Sequence, residues 1–257
     1  MPDPTPHPPG PPATTAEGAP GRRAAGVRER ARAELTREIV AAARRQLGEV
    51  GAAALSLRAV AREIGMVSSA VYRYVASRDE LLTLLITQAY DALGAAAEEA
   101  EAAVPREDLL ARWLATCTAV RSWALAHPHE HALIFGSPVP GYAAPQTTIV
   151  PAARVPRLLI GLLVEGVRRG RIDPAALPAL GTEVVAALGP VRGDVPLEVP
   201  DELLARGILA WTLLVGAVSF ELFGHTHNVV DDDAHLREAF FTDQVRRAAD
   251  LVGLTGT

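Results

Sequence analysis

The chain contains no lysine; all 25 of its basic residues are arginine. With its abundant Ala, Gly and Pro this reads as the codon usage of a GC-rich genome and not as a functional choice. It has one cysteine, Cys117, so no internal disulfide can form, which fits a reducing cytoplasm. That thiol is either a small core residue or a redox sensor. The N-terminus has no apolar stretch of the kind that marks a secretory signal. The longest strongly apolar run, Gly207 to Phe220, is 14 residues, short of the ~20 a bilayer span needs, and reads as a buried helix outside any membrane. No Walker-type phosphate loop, nucleophile elbow or convincing triad spacing occurs, which argues against an enzyme. Strand-type alternation and internal repeats are also missing.

What is present is helical periodicity and uneven charge. Hydrophobic residues make up 49% of the chain, ample for a core, and its 257 residues suit one large or two modest domains. The net charge of −5 conceals an asymmetry: residues 22–78 carry 12 Arg against 5 Glu, a surplus of +7, and the remainder is acidic. A basic segment attracts a phosphate backbone, although a solvated helix face would show the same bias.

Residues 1–24 hold 8 of the 20 prolines and too few large apolar groups to fold, so a disordered tail is expected there. Residues 25–80 form a first unit and 81–257 a second. The first helix is expected over Val27–Gly48, with Leu35, Ile39, Ala43 and Leu47 on one face. Ser56 sits where an N-cap belongs, before Leu57, Val60, Ala61 and Ile64 at helical spacing. Gly65 stops that helix, and the next runs from Val67 or Ser68 to Tyr74 with Val67, Ala70, Val71 and Tyr74 inward. Ser77-Arg78-Asp79-Glu80 is a capping box that launches a Leu-rich helix to about Glu101. Pro105 suits the first position of a helix whose inner stripe is Trp113, Cys117, Val120 and Ala124. His127-Pro128 breaks it, and a short helix follows to Phe135. Residues 136–156, with five prolines, read as a loop. Further helices are expected over Pro156–Arg169, Pro174–Leu188, Asp201–Phe223 and Ala234–Val252, with a second loop over 189–200. The fold class is all-α.

Two short helices around Gly65 leave Ser68, Ser69, Tyr72 and Arg73 facing outward. Hydroxyls and an arginine can bond phosphates and base edges, and small residues allow close approach to a groove. Spacing alone leaves a plain helical hairpin open.

Leu57-x-x-Val60-Ala61, Gly65, Ser69-Ala70-Val71-Tyr72-Arg73-Tyr74 and Ser77-Arg78-Asp79-Glu80-Leu81 together resemble the N-terminal domain of TetR/AcrR-family transcriptional regulators, over about residues 28–90. The resemblance implies a helix-turn-helix DNA-binding domain ahead of a helical ligand-binding and dimerisation domain. It implies a ligand-responsive repressor that meets a near-palindromic double-stranded DNA operator as a cytoplasmic homodimer and is released by a small, largely apolar effector. By the same resemblance Ser68, Ser69, Tyr72, Arg73 and Tyr74 are DNA contacts, Ser56 and Arg58 phosphate contacts, and Arg78 a phosphate-binding position. Core packing competes for Tyr74, which lies on the inner stripe. Two departures stand out: Val75 replaces the usual aromatic, and Val67 the usual Ser. In the second half, Trp123-Ala124-Leu125-Ala126-His127-Pro128 with Leu133-Ile134-Phe135-Gly136, and Trp211-x3-Val215-Gly216 with Phe220 to His225, are similar to one branch of the family's ligand-binding domains. Some members of that branch have His where Val215 stands.

Trp113, Cys117, Trp123, Phe135, Tyr142 and Trp211 are candidate walls of an effector pocket, with core packing the plainer alternative for each. His127, His129, Glu130 and His131, or His225, His227 and Asp231 to Asp233, have the composition of a metal site, but helix ends and loops commonly expose such residues, and no metal or cofactor is expected. Two other classes stay open: a helical scaffold without DNA affinity, and a metal-dependent helical enzyme.

Overall fold

The computed structural model describes residues 20–193, 195–196 and 199–255, without the side chains of residues 20–28. The expected tail up to residue 19 lies outside the described residues, and among the described ones every regular element is helical.

Helix α1 (Pro20–Val50) begins several residues before the expected Val27. Its buried face is Ile39, Val40, Ala42, Ala43 and Leu47, with Leu35 half-buried. A 3-10 turn at Ala52–Ala54 leads to α2 (Leu57–Glu63), whose N-cap is Ser56. The end of α2 is a Schellman motif: Met66 N–H reaches Ala61 O at 2.8 Å and Gly65 N–H reaches Arg62 O at 3.2 Å. This closure requires Gly65 at φ 68°, a left-handed conformation that a side chain resists. Helix α3 (Ser68–Val71) is shorter than expected, because residues 72–74 continue as turns with Arg73 N–H on Ala70 O and Tyr74 N–H on Val71 O. Helix α4 (Arg78–Ala102) starts at the expected cap: Ser77 Oγ accepts from Glu80 N–H at 3.0 Å, and Glu80 Oε2 accepts from Ala76 N–H at 2.5 Å. Val60, Ala61, Val71, Val75, Leu81, Leu82 and Leu85 close the head core around Ile39. Val75, where the resemblance leads one to expect an aromatic, is fully buried in the head core.

The body is built on α4, α5 (Leu109–Ala126), α6 (Pro128–Phe135), α8 (Arg154–Arg168), α11 (Asp201–Leu222) and α12 (Ala234–Leu251), with three short helices, α7 (Ile149–Ala152), α9 (Thr182–Ala187) and α10 (Gly189–Arg192). Pro105 does not begin α5. It lies in a turn, and Asp108 caps the helix by accepting from Ala111 N–H at 2.8 Å. Helix α8 begins two residues before Pro156, and α7 occupies part of the expected loop. The single helix expected over Pro174–Leu188 is a 3-10 turn (Pro174–Ala176), a break, and α9. Pro178 has no N–H for the preceding turn and Gly181 disfavours helix, which explains the interruption.

Helix α11 has 22 residues and, alone among the helices of the described residues, is long and apolar enough to cross a membrane; the 14-residue run understated it. It packs against α5, α8 and α12 through Leu203, Leu204, Ala210, Leu214 and Val218. Near its end Glu221 receives both Arg121 Nε (2.7 Å) and Nη2 (2.6 Å) from α5. The body core runs from Leu93 and Ala97 through Trp113, Leu162 and Leu163 to Phe241 and Val245.

Two arginine clusters fix α8 to α4. Arg154 donates to Glu98 (2.9 and 2.6 Å) and to the Asp91 carbonyl (2.8 Å), lying across Gly94, where an added Cβ would be 2.7 Å from Arg154 Nε. The buried Arg112 of α5 bridges Glu101 of α4 (2.6 Å) and Glu165 of α8 (2.6 Å). Replacing Gly65 by Ala is expected to destabilise the head by about 1–2 kcal/mol, the cost of forcing a Cβ into the left-handed region. A urea unfolding midpoint unchanged from wild type would refute that assignment.

Candidate nucleic-acid interface and body cavity

Helix α3 has only four residues, too few to form alone, so its placement comes from Ala70 and Val71 packed into the head core. That packing turns Ser69, Tyr72 and Arg73 outward to solvent, with Ser68 half-buried beside them. Tyr72 is 46% exposed. Arg58 is exposed in the first turn of α2. Ser56 is half-buried and makes no capping bond with its side chain, which leaves its hydroxyl unused by the helix it precedes.

Three expectations change. Val67 is 71% exposed at the N-cap of α3, not part of an inner stripe, and has no side-chain acceptor for the first N–H groups of that helix. Tyr74 is half-buried against the head core, and the Arg32 guanidinium stands 5.5 Å from its ring centroid. Packing therefore accounts for Tyr74. Arg78 turns back onto the loop before α2, donating to Ala52 O (2.9 Å), Ala53 O (3.1 Å) and Leu55 O (3.2 Å). Its fork ties down the carbonyls of that loop, with Ala52 O also accepting from Leu55 N–H, so Arg78 holds the start of α2 in place. Linear spacing carries no signal for either arrangement.

Tyr142 also moves from its expected place. With Leu133 and Val139 it packs on the head core, and its hydroxyl meets Thr83 Oγ1 at 2.9 Å. Glu130 of α6 pairs with Arg44 of α1 at 3.0 Å. Helix α6 and the segment after it thus strap the body to the head, a second connection beside α4.

Of the six candidate pocket walls, Trp113 and Trp211 line one cavity of about 100 Å³ between α5, α8, α10 and α11. Phe135 stands edge-on to Trp211 at 6.0 Å without lining that cavity. Trp123 is buried and stacked on His127 at 5.1 Å. Cys117 is fully buried in the body core, and burial pushes its thiol well above the usual range, as expected of a packing residue and not of a reactive one.

The histidine cluster is split by the fold. His127 Nδ1 meets Trp123 O at 2.9 Å, His129 lies against Gly48, and the buried His131 shares a 3.0 Å hydrogen bond with Ser219 Oγ. His227 approaches Asp232 at 3.5 Å on an exposed surface. Among the described residues no three of His, Cys, Asp or Glu stand close enough to share a metal ion.

A helix-turn-helix head with a polar outward face, joined by one long helix to an all-helical body, defines a class of DNA-binding regulator and not an enzyme. Residues 39–85 match the family model described as bacterial regulatory proteins, tetR family, and residues 113–247 match the tetracyclin repressor-like C-terminal domain. The chain belongs to the TetR family of transcriptional regulators. It is 41% identical over 208 residues to the HTH-type transcriptional regulator Rv1816 of Mycobacterium tuberculosis, covering 77% of this chain and 85% of that protein, and equally to Mb1846 of Mycobacterium bovis. The crystal structure of SCO4313 superposes with a TM-score of 0.67 at 34% identity, covering 84% of this chain and 98% of that one. A Rhodococcus sp. RHA1 protein shares the fold at 24% identity, with a TM-score of 0.61 over 83% of this chain and 94% of that one.

Two outcomes follow. Arg78→Ala is expected to lower head stability by about 1.5–3 kcal/mol, the range for bonds made by a charged donor, and to leave the salt dependence of DNA binding unchanged. A smaller salt slope with normal stability would return Arg78 to the phosphates. Burial pushes His131 down to about 4, so as pH falls from about 6.5 the unfolded chain takes up the proton first. The stability held by the neutral ring is full above about pH 6.5 and is lost as pH falls toward about 4. The urea midpoint should drop over that range, and His131→Asn should flatten the drop.

Proposed function

We propose that the chain is a cytoplasmic, effector-responsive repressor that binds a near-palindromic DNA operator as a homodimer. The observation that carries this reading is a pair of unpartnered faces on one molecule. The head turns Ser69, Tyr72 and Arg73 outward from α3. The body turns Leu209 (47% exposed), Leu213 (49%) and Phe220 (58%) outward from α11, with Phe240 (44%) beside them on α12. Such a row of large apolar side chains marks an association surface. Two copies meeting through α11 and α12 form a four-helix interface about a two-fold axis. Both α3 helices then face one side, suited to successive major grooves about 34–36 Å apart or somewhat more.

Ser68, Ser69, Tyr72 and Arg73 are the proposed base and phosphate contacts, flanked by phosphate contacts from Ser56 and Arg58. Exposed Val67 adds an apolar group of the kind that meets a thymine methyl. The cavity between α5, α8 and α11 is the proposed effector site. An occupant favours one arrangement of α8, and α8 is tied to α4 directly by Arg154 and, through Arg112 of α5, by Glu165. The effector moves the heads only as far as its affinities for the two arrangements differ, typically about 1–3 kcal/mol.

The test is selection of DNA from a random duplex library by purified protein, followed by variants on the selected site. Arg73→Ala is expected to weaken that site about 5- to 150-fold, the worth of one good base contact, with circular dichroism and dimer size unchanged. Leu213→Glu is expected to yield monomers that hold only half-sites weakly. No enrichment of any sequence at low salt, or wild-type protein that stays monomeric, would end the proposal.

A further inference from the structure

We propose that the body cavity takes a neutral hydrocarbon group, a single ring or a branched alkyl chain, and discriminates against the same group carrying a hydroxyl. The inference rests on reading this cavity as the effector site and adds the chemical class of its occupant. The walls are Trp113, Leu159, Ile160, Leu163, Leu204 and Trp211. No lining side chain is charged, and none offers an acceptor. The Trp113 indole N–H is already given to Val245 O at 3.0 Å. The carbonyls of α8 and α11 along the walls belong to continuous helices. A hydroxyl brought inside could at most accept from the Trp211 indole N–H; its own hydrogen would find no acceptor among the lining side chains, which penalises its burial.

Charge is directed away from the cavity by the same helix that lines it. Helix α8 sends Arg154 to Asp91 and Glu98, and Glu165 to Arg112, all on the side facing α4 and α5. Its opposite side supplies Leu159, Ile160 and Leu163. An ionised effector would therefore meet no counter-ion. Size narrows the class further. The volume is about 100 Å³, and an apolar cavity of about 150 Å³ accepts benzene or xenon and stays dry when empty. One six-membered ring is therefore the ceiling on what the cavity takes. The mouth lies beside exposed Ile208 and half-buried Val191, so entry is past apolar groups as well.

The probes are benzene and phenol, applied to the full chain at pH 7, where phenol is neutral, and followed by titration calorimetry. Benzene is expected to bind saturably, and phenol at least tenfold more weakly. Ile160→Phe fills the cavity and should reduce benzene binding at least tenfold. Val191→Phe closes the mouth from the short helix α10, outside the α5–α8–α11 core, and should do the same in a protein of unchanged circular dichroism. Equal or tighter binding of phenol, no saturable benzene binding, or benzene binding undiminished in both variants would overturn the proposal. Protein that binds benzene but selects no DNA sinks the regulator reading alone. Protein that selects DNA but takes up no benzene sinks this one alone.

Discussion

One 25-residue helix belongs to two hydrophobic cores, and the rest of the molecule is organised by that sharing. The first turns of α4 place Leu81, Leu82 and Leu85 among head residues, and the later turns place Leu93 and Ala97 among body residues. A rigid helix transmits rotation from one core to the other without a flexible joint. Its start is set by Ser77 and Glu80, and its far end by Glu101, held by Arg112. That second hold is costly to disturb. Both partners are nearly sealed from water, and removing either leaves a buried charge with only its second partner, Glu165 for Arg112 and Arg106 for Glu101. The head is therefore oriented by whatever sets the position of α8 and α5, since Arg112 ties both to α4.

The strap formed by α6 and residues 136–142 bears on the same orientation from the other side. Tyr142 to Thr83 is one neutral hydrogen bond, worth about 0.5–1.5 kcal/mol net. Arg44 to Glu130 is a partly exposed pair, worth at most about 1 kcal/mol. Their sum is of the same order as a typical coupling free energy between sites. The buried Arg112 cluster holds α4 to the body more firmly than the strap holds the body to the head. Phe135 touches Trp211 at one end of α6, and Leu133 touches the head core on the same helix. The strap therefore connects the cavity wall to the head by direct packing.

Most helices could be read from the sequence because their apolar residues recur at helical spacing and their ends carry local signals. The Ser77 cap, the His127-Pro128 break and the extents of α11 and α12 are of this kind. Errors arose where two local signals competed. Pro105 and Asp108 both open helices, and the side-chain acceptor of Asp108 decided the matter. Pro174 promised a helix that Pro178 and Gly181 interrupt. The outward set at Ser69, Tyr72 and Arg73 was legible because α3 has one buried side. The roles of Arg78 and Tyr142 were not, because each depends on a partner far along the chain, Ala52 for one and Thr83 for the other. Val67 misled for a different reason: periodicity was extended one residue beyond the helix, to a cap position that faces solvent.

The shortness of α3 has a consequence for how function and stability divide among its residues. Four helical residues cannot stabilise themselves, so the outward set at Ser69, Tyr72 and Arg73 exists only while Ala70 stays buried and Val71 and Val75 stay in the head core. Truncating Val71 or Val75 creates a cavity in the head and distorts every outward group together. Truncating Ser69, Tyr72 or Arg73 removes one group and leaves the scaffold intact. The two classes sit one or two residues apart, so they are distinguished by face and not by position. The same reasoning separates Arg78 from Arg73: both are arginines of the head, but one has its donors turned onto the protein's own carbonyls and the other has them turned to solvent.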